Sequence, residues 1–184
     1  MWIIITVLIL AAIMLIFIYN RLVGLRQNCK QGWADIDAQL RQRHDLIPNL
    51  VETVKGYAAH ESKTLDAVVA ARNSAISARG PDRMAQAEAG LSGALKGLFA
   101  LAENYPDLKA NTNFLSLQGE MADVEDKLAA SRRAFNAAAA DYNAARESFP
   151  AVLFASGFGF TAQEFWELNA DDRPLLESAP KVEF

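Results

Sequence analysis

The sequence predicts an all-α protein: a single N-terminal transmembrane helix followed by an antiparallel bundle of long helices with coiled-coil-like packing. Three observations carry this expectation. An uncharged apolar run opens the chain, apolar residues keep heptad spacing over two long stretches, and alanine, the strongest helix former, is frequent after Ala122. The implied boundaries are 1–20 for the anchor, 21–150 for the bundle and 151–184 for an aromatic-rich tail packing on it.

The anchor is the run from Trp2 to Ile18, apolar except for Thr6. Its 17 residues cover about 26 Å as a helix, close to the ~30 Å hydrocarbon core of a bilayer. Trp2 and Tyr19 sit where interfacial aromatics belong. A cleaved signal peptide wants a basic n-region, a shorter apolar stretch and a small-x-small cleavage site. Tyr19-Asn20-Arg21 follows the run instead. A lipid-modified start would place a cysteine at the end of the run, whereas Cys29 lies beyond Arg26-Gln27-Asn28. Arg21, Arg26 and Lys30 follow the run and no Lys or Arg precedes it, so the positive-inside rule expects an N-out chain with a cytoplasmic bundle.

The strongest heptad seam lies late in the chain. Phe114, Leu117, Met121, Val124, Leu128, Ser131, Phe135, Ala138, Tyr142, Ala145 and Phe149 follow one another at steps of three and four, with Ser131 the one small polar member. A second seam follows the anchor: Cys29, Trp33, Ile36, Leu40, Arg43, Ile47, Leu50, Val54 and Tyr57. Arg43 is its only charge, and the expected accommodation is a stem along an apolar groove with the guanidinium reaching water. Pro48 interrupts this seam without changing its phase. Either Asp45 caps a fresh helix with Pro48 in its first turn, or one long helix kinks there with two roughly collinear segments. The pattern continues through Leu65, Val68, Val69 and Ile76.

Arg79-Gly80-Pro81-Asp82 marks a turn, and a third helix is expected over about 82–104 with Leu91, Leu95, Leu98, Ala102 and Tyr105 as its stripe. Gly90, Gly93 and Gly97 form a small-residue strip on which a neighbouring backbone could approach closely. Pro106-Asp107 ends that helix, and Phe149-Pro150 ends the last long one. In the tail, six aromatics crowd into residues 149–166, and Thr161-x-x-Glu164 has the form of a capping box opening a short helix through Leu168.

Composition narrows the function classes. With net charge −4 and a pI near 5.2, the chain lacks the clustered Lys and Arg that nucleic-acid binding needs, so no nucleic acid is expected. One cysteine precludes an intrachain disulfide. His60-Glu61 invites a zinc reading, but a metalloprotease helix needs a second His four residues on, and position 64 is Thr64. Cys29 has no neighbouring His or Asn and reads as a small core residue. The carboxylates Asp35, Asp37, Asp45 and Glu52 read as salt-bridge or capping partners of Arg41, Arg43 and Lys55 rather than as an acid/base pair. No catalytic, cofactor-binding or metal-binding residues are expected. The segment that combines a helix break, two arginines, a carboxylate and an amide is the candidate interaction surface: Arg41, Arg43, Asp45, Pro48 and Asn49.

The same residues carry a family resemblance. Tyr19-Asn20-x-Leu22-Val23 and the block from Trp33 through Asp45-Leu46-Ile47-Pro48-Asn49-Leu50 to His60-Glu61 resemble the signature of the LemA family. Leu117-Gln118-x-Glu120, Glu125, Arg132-Arg133, Asn136, Tyr142-Asn143 and Phe149-Pro150 resemble its second half. Asp126 stands where Asn is usual, and Phe135 stands before Asn136 where Tyr is usual. The resemblance implies a bacterial inner-membrane protein with an N-terminal anchor, an antiparallel helical bundle and no established enzymatic activity. It also points to membrane proteins with a TPM domain as partners, and to a branch of the family linked to membrane organelles. Some members resemble lipoproteins, with a cysteine before the Tyr-Asn pair, and that resemblance implies the alternative topology, a periplasmic domain, against the charge rule. Ile18 occupies that place here.

Together these readings predict a membrane-tethered scaffold or adaptor that forms homo-oligomers through its long helices and meets the bilayer through its first helix. A membrane-remodelling or envelope-organising assembly is the alternative.

Overall fold

The computed structural model describes residues 1–166. Among them the regular structure is helical: α1 (Trp2–Lys55), α2 (Ser62–Ser77), α3 (Pro81–Ala102), α4 (Pro106–Lys109) and α5 (Thr112–Glu147), followed by a 3₁₀ turn over Ala151–Leu153. The chain forms two compact units. One combines Met1–Asp37 with Ala129–Phe165, and the other centres on Ala38–Leu128.

Local chemistry sets the helix ends. Gly80 adopts a φ of 85°, which a side chain would resist, and Pro81 then opens α3 with its ring already at a helical φ. Asn111 caps α5 by accepting the Phe114 N–H on its Oδ1 at 3.0 Å. Pro106 opens α4, so the segment expected only to end the third helix makes a short helix of its own.

The first unit contains the apolar start of α1, a segment long enough to cross a bilayer, and none of its residues is buried by the rest of the chain. Beyond it Leu22, Cys29 and Ile36 turn inward at heptad intervals. Gly32 allows α5 to approach closely: a Cβ there would lie 3.1 Å from the Phe135 Cα. The Trp33 and Phe135 rings meet edge to face at 5.4 Å between centroids. Burial pushes the Cys29 thiol above its ordinary range.

The late seam shifts as it runs. Phe114, Met121, Val124, Leu128, Phe135 and Tyr142 are buried as expected, but Ala139 rather than Ala138 is the fully buried alanine between the last two. A helix of 3.6 residues per turn drifts by about 20° per heptad against a 3.5 repeat, which moves the buried line by one position. Phe149 lies beyond the end of α5 and is 80% exposed, so it is not a seam residue. The tail returns along the unit. Tyr142 donates its hydroxyl to the Thr161 carbonyl at 2.9 Å, Asn143 exchanges hydrogen bonds of 2.8 and 2.9 Å with the Gln163 backbone, and Arg26 lies over the Phe160 ring. Residues 161–166 are therefore not helical. The expected capping box does not form there, because side chains of α5 hold that backbone, and the remainder to Leu168 lies outside the described residues.

The second unit packs Ile47, Leu50 and Val54 of α1 against Leu65 and Val68 of α2, Leu91, Leu95 and Leu98 of α3, and Phe114 and Met121 of α5. Each such side chain stabilises the fold by about 1.5–3 kcal/mol relative to leaving it in water. Val69, Ile76 and Tyr57, expected on apolar stripes, are exposed. The helix ends at Lys55, so Ala58 instead of Tyr57 fills the next inward place. Gly90, Gly93 and Gly97 face outward on α3 with no heavy atom within 4 Å of an added Cβ. The close backbone approach anticipated for that strip occurs at Gly32.

Candidate functional site

Residues 41–50 of α1 present two faces, and the candidate residues divide between them. Arg41, Asp45, Pro48 and Asn49 recur at i, i+4, i+7 and i+8, which is a single helical stripe, and all four are exposed. Arg43 is about 200° around the axis from Arg41 at 100° per residue, and it points inward with 1% exposure. The expectation that its guanidinium reaches water, as part of one surface with the other four, is corrected.

Inside, that guanidinium is held by three elements. It donates to Glu88 Oε2 at 2.9 Å and Ser92 Oγ at 2.7 Å, both on α3, and to Glu125 Oε1 on α5 at 2.7 Å. His44 Nε2 lies 2.7 Å from the second Glu88 oxygen. Both carboxylate oxygens of the buried Glu88 are thus occupied, one by each of two consecutive α1 side chains. A buried charge demands such saturation, because an unpaired one would cost far more than its neighbours return. Glu125 is half exposed and contributes less. These partners of Arg43 come from α3 and α5.

Pro48 lies inside α1, which runs through it without a break, so no fresh helix begins at Asp45. Proline has no N–H, so the carbonyl four residues back, that of His44, loses its helical donor. Arg72 of α2 supplies one: its Nε donates to the His44 oxygen at 2.7 Å. Asn49 is exposed on the opposite stripe.

Glu88 and Arg72 were not among the sequence candidates. A signal for Glu88 existed: it stands three residues before Leu91 on the apolar stripe of α3, as Arg43 stands on that of α1, and two opposite charges on buried stripes call for each other. Arg72 had no comparable signal, because a freed carbonyl accepts from any donor the fold brings near. His60 and Glu61 fall in the turn before α2, where Tyr105 donates to Glu61 at 3.4 Å. Among the described residues no cluster of His, Cys, Asp and Glu is arranged to hold a metal ion.

What the arrangement does chemically is fix backbone and charge. Its carboxylates and cations pair with one another, with Arg43 Nε buried and left without a hydrogen-bond partner, and its exposed side is a polar stripe on a helix. The class so defined is an all-helical bundle whose first helix carries an uncovered apolar segment. The chain belongs to the LemA family, whose family model matches residues 32–184. It is similar to the magnetosome protein MamQ of Magnetospirillum gryphiswaldense, 26% identical over 86% of this chain and 68% of that protein. It is likewise similar to the magnetosome proteins MamQ 1 and MamQ 2 of Paramagnetospirillum magneticum, each 25% identical over the same shares.

Proposed function

We propose that this LemA-family chain is a membrane-anchored scaffold that holds partners against its exposed 41–49 stripe and associates with further copies of itself. The observation that carries the reading is the division at Arg43. Six residues from four helices interlock beneath the stripe, so Arg41, Asp45, Pro48 and Asn49 are presented on a backbone that cannot rearrange without exposing buried charge. Another membrane protein, such as one with a TPM domain, is the partner the family resemblance suggests.

A photo-crosslinking amino acid at Asp45 or Asn49, in intact membranes, should capture discrete species, identified by mass spectrometry as a partner or a second copy. The same group at Lys96, exposed on α3, is the control. Identical capture at all three positions, or none at Asp45 and Asn49, would remove the support for the stripe.

The uncovered apolar segment supports anchoring, and Arg21, Arg26 and Lys30 beyond it favour N-out insertion with the bundle in the cytoplasm. A cysteine at the exposed Asp141 should react with a membrane-impermeant maleimide only after lysis; labelling of intact spheroplasts would reverse the orientation. Membrane remodelling is the second reading, favoured by the magnetosome names of the relatives. It requires that the purified full-length protein deform vesicles.

A further inference from the structure

We infer that residues 149–158 form a second membrane contact, seated in the headgroup–acyl boundary of the leaflet where α1 leaves its apolar segment. This rests on the anchor reading and extends it from one helix to a helix and an elbow.

Four observations converge, all within the first unit. From Ser148 to Gln163 the chain carries no charged residue, sixteen positions in a protein where 22% are charged. In that stretch Phe149, Leu153, Phe158 and Val152 are 80%, 72%, 57% and 49% exposed. Large apolar side chains left uncovered together in a soluble surface mark a contact site. Their place is set by α1: Phe149, Pro150 and Ala151 share a cavity of about 100 Å³ with Phe17, Ile18, Arg21 and Leu22, the last turn of the apolar segment and the first beyond it. Phe158 stacks edge to face on Tyr19 at 5.5 Å. The exposed elbow is thus level with the end of the span, and its apolar surface continues that of Phe17, itself 70% exposed.

The backbone is suited to that depth. Irregular chain near hydrocarbon is tolerated only when its polar groups are satisfied internally. In this elbow the N–H groups of Val152, Leu153, Phe154, Ala155, Phe158, Gly159 and Phe160 all donate to carbonyls between Ser148 and Ser156, at 2.9–3.2 Å. The segment needs little from water. Arg21, exposed at the same level, is placed to meet lipid phosphates, as basic residues flanking a span do. The occupant is therefore the bilayer already entered by α1, rather than a separate protein.

The test places single cysteines at Phe149, Val152, Leu153 and Phe158 of the full-length chain in a Cys29→Ala background. Each carries an environment-sensitive fluorophore in phosphatidylcholine–phosphatidylglycerol vesicles. Lipids spin-labelled near the carbonyl end of the acyl chain should quench these probes several-fold more than a probe at Asp141, exposed on α5. All four replaced side chains are exposed, and Val152 and Leu153 report independently if loss of a phenylalanine perturbs the turn. A probe at Ile9 separates the two readings. Quenching at Ile9 with elbow probes no different from Asp141 would overturn the elbow and leave the anchor standing. No quenching at Ile9 would bring down both. Elbow cysteines that escape lipid quenching and instead form disulfides between copies would assign the surface to self-association and overturn the proposal.

Discussion

Arg72 donates its Nε–H to the His44 carbonyl at 2.7 Å, and that carbonyl is the one Pro48 leaves without its helical donor. A side chain of α2 thereby completes the hydrogen-bond ladder of α1 at the point where a proline would otherwise open it. Arg72→Ala should cost about 1–3 kcal/mol, the penalty for orphaning a partly buried carbonyl. In a Pro48→Ala background a backbone N–H is restored at position 48, so the same substitution should cost less. Urea unfolding of the full chain in mild detergent measures the cycle, and a coupling of about 0.5–2 kcal/mol is expected between the two sites. Strict additivity would mean that Arg72 acts through some other contact.

Arg43 and Glu88 form a pair in which each residue is 1–2% exposed. Removing either partner alone strands a buried charge, and Arg43→Met or Glu88→Leu should each destabilise by about 3–5 kcal/mol. The double replacement fills similar volume without charge and should be far milder than the sum of the two. Thermal unfolding followed by helical circular dichroism distinguishes this from a pair that is merely superficial, for which each single change would be small.

Glycine serves opposite purposes at positions 32 and 97. Gly32→Ala would press a Cβ against the Phe135 backbone at 3.1 Å and should cost about 1–3 kcal/mol as overpacking. Gly97→Ala meets nothing within 4 Å and should gain about 0.5–1 kcal/mol from helix propensity alone. At the same contact, Phe135→Ala should cost about 3–5 kcal/mol, against changes within about 0.5 kcal/mol for Asp141→Ala. If the Gly90–Gly97 strip is a contact between copies, Gly97→Ala should also lower the oligomer mass in light scattering. An unchanged mass would free the strip of that role.

Alkaline pH should weaken the fold. Burial raises the Cys29 thiol above its ordinary value of 9.0 and the Tyr142 hydroxyl above 10.0, although Arg26 and Arg146 pull the latter back. The folded state therefore holds these protons more tightly than the unfolded chain. Their contribution is complete below pH 9.0 and is lost as pH rises through the folded values, because the unfolded state deprotonates first. Urea midpoints should be flat below that pH and fall above it, with a shallower fall in Cys29→Ala. A fall of equal slope in that variant would remove Cys29 from the effect.

The amino-acid sequence by itself determined what depends on neighbours along the chain. The uncharged run from Trp2 to Ile18 is long enough to cross a bilayer wherever the rest folds. Heptad spacing makes α1 and α5 helices with one buried line each, and Pro81 opens a helix because its φ and missing N–H suit a first turn. The stripe Arg41, Asp45, Pro48 and Asn49 was equally legible, since helical periodicity alone puts the four on one face. Tertiary structure decided the rest. Arg43 turned from an edge residue into a buried one because its partners Glu88 and Glu125 stand 45 and 82 residues away in sequence. Pro48 sits in an unbroken helix because Arg72, 28 residues distant, replaces the lost donor. The tail over Thr161–Gln163 stays non-helical because Tyr142 and Asn143 hold its backbone where a capping box would close. In each case the chemistry of the residue was readable, but a buried charge or a freed carbonyl accepts any suitable donor or acceptor, and only packing selects which one arrives.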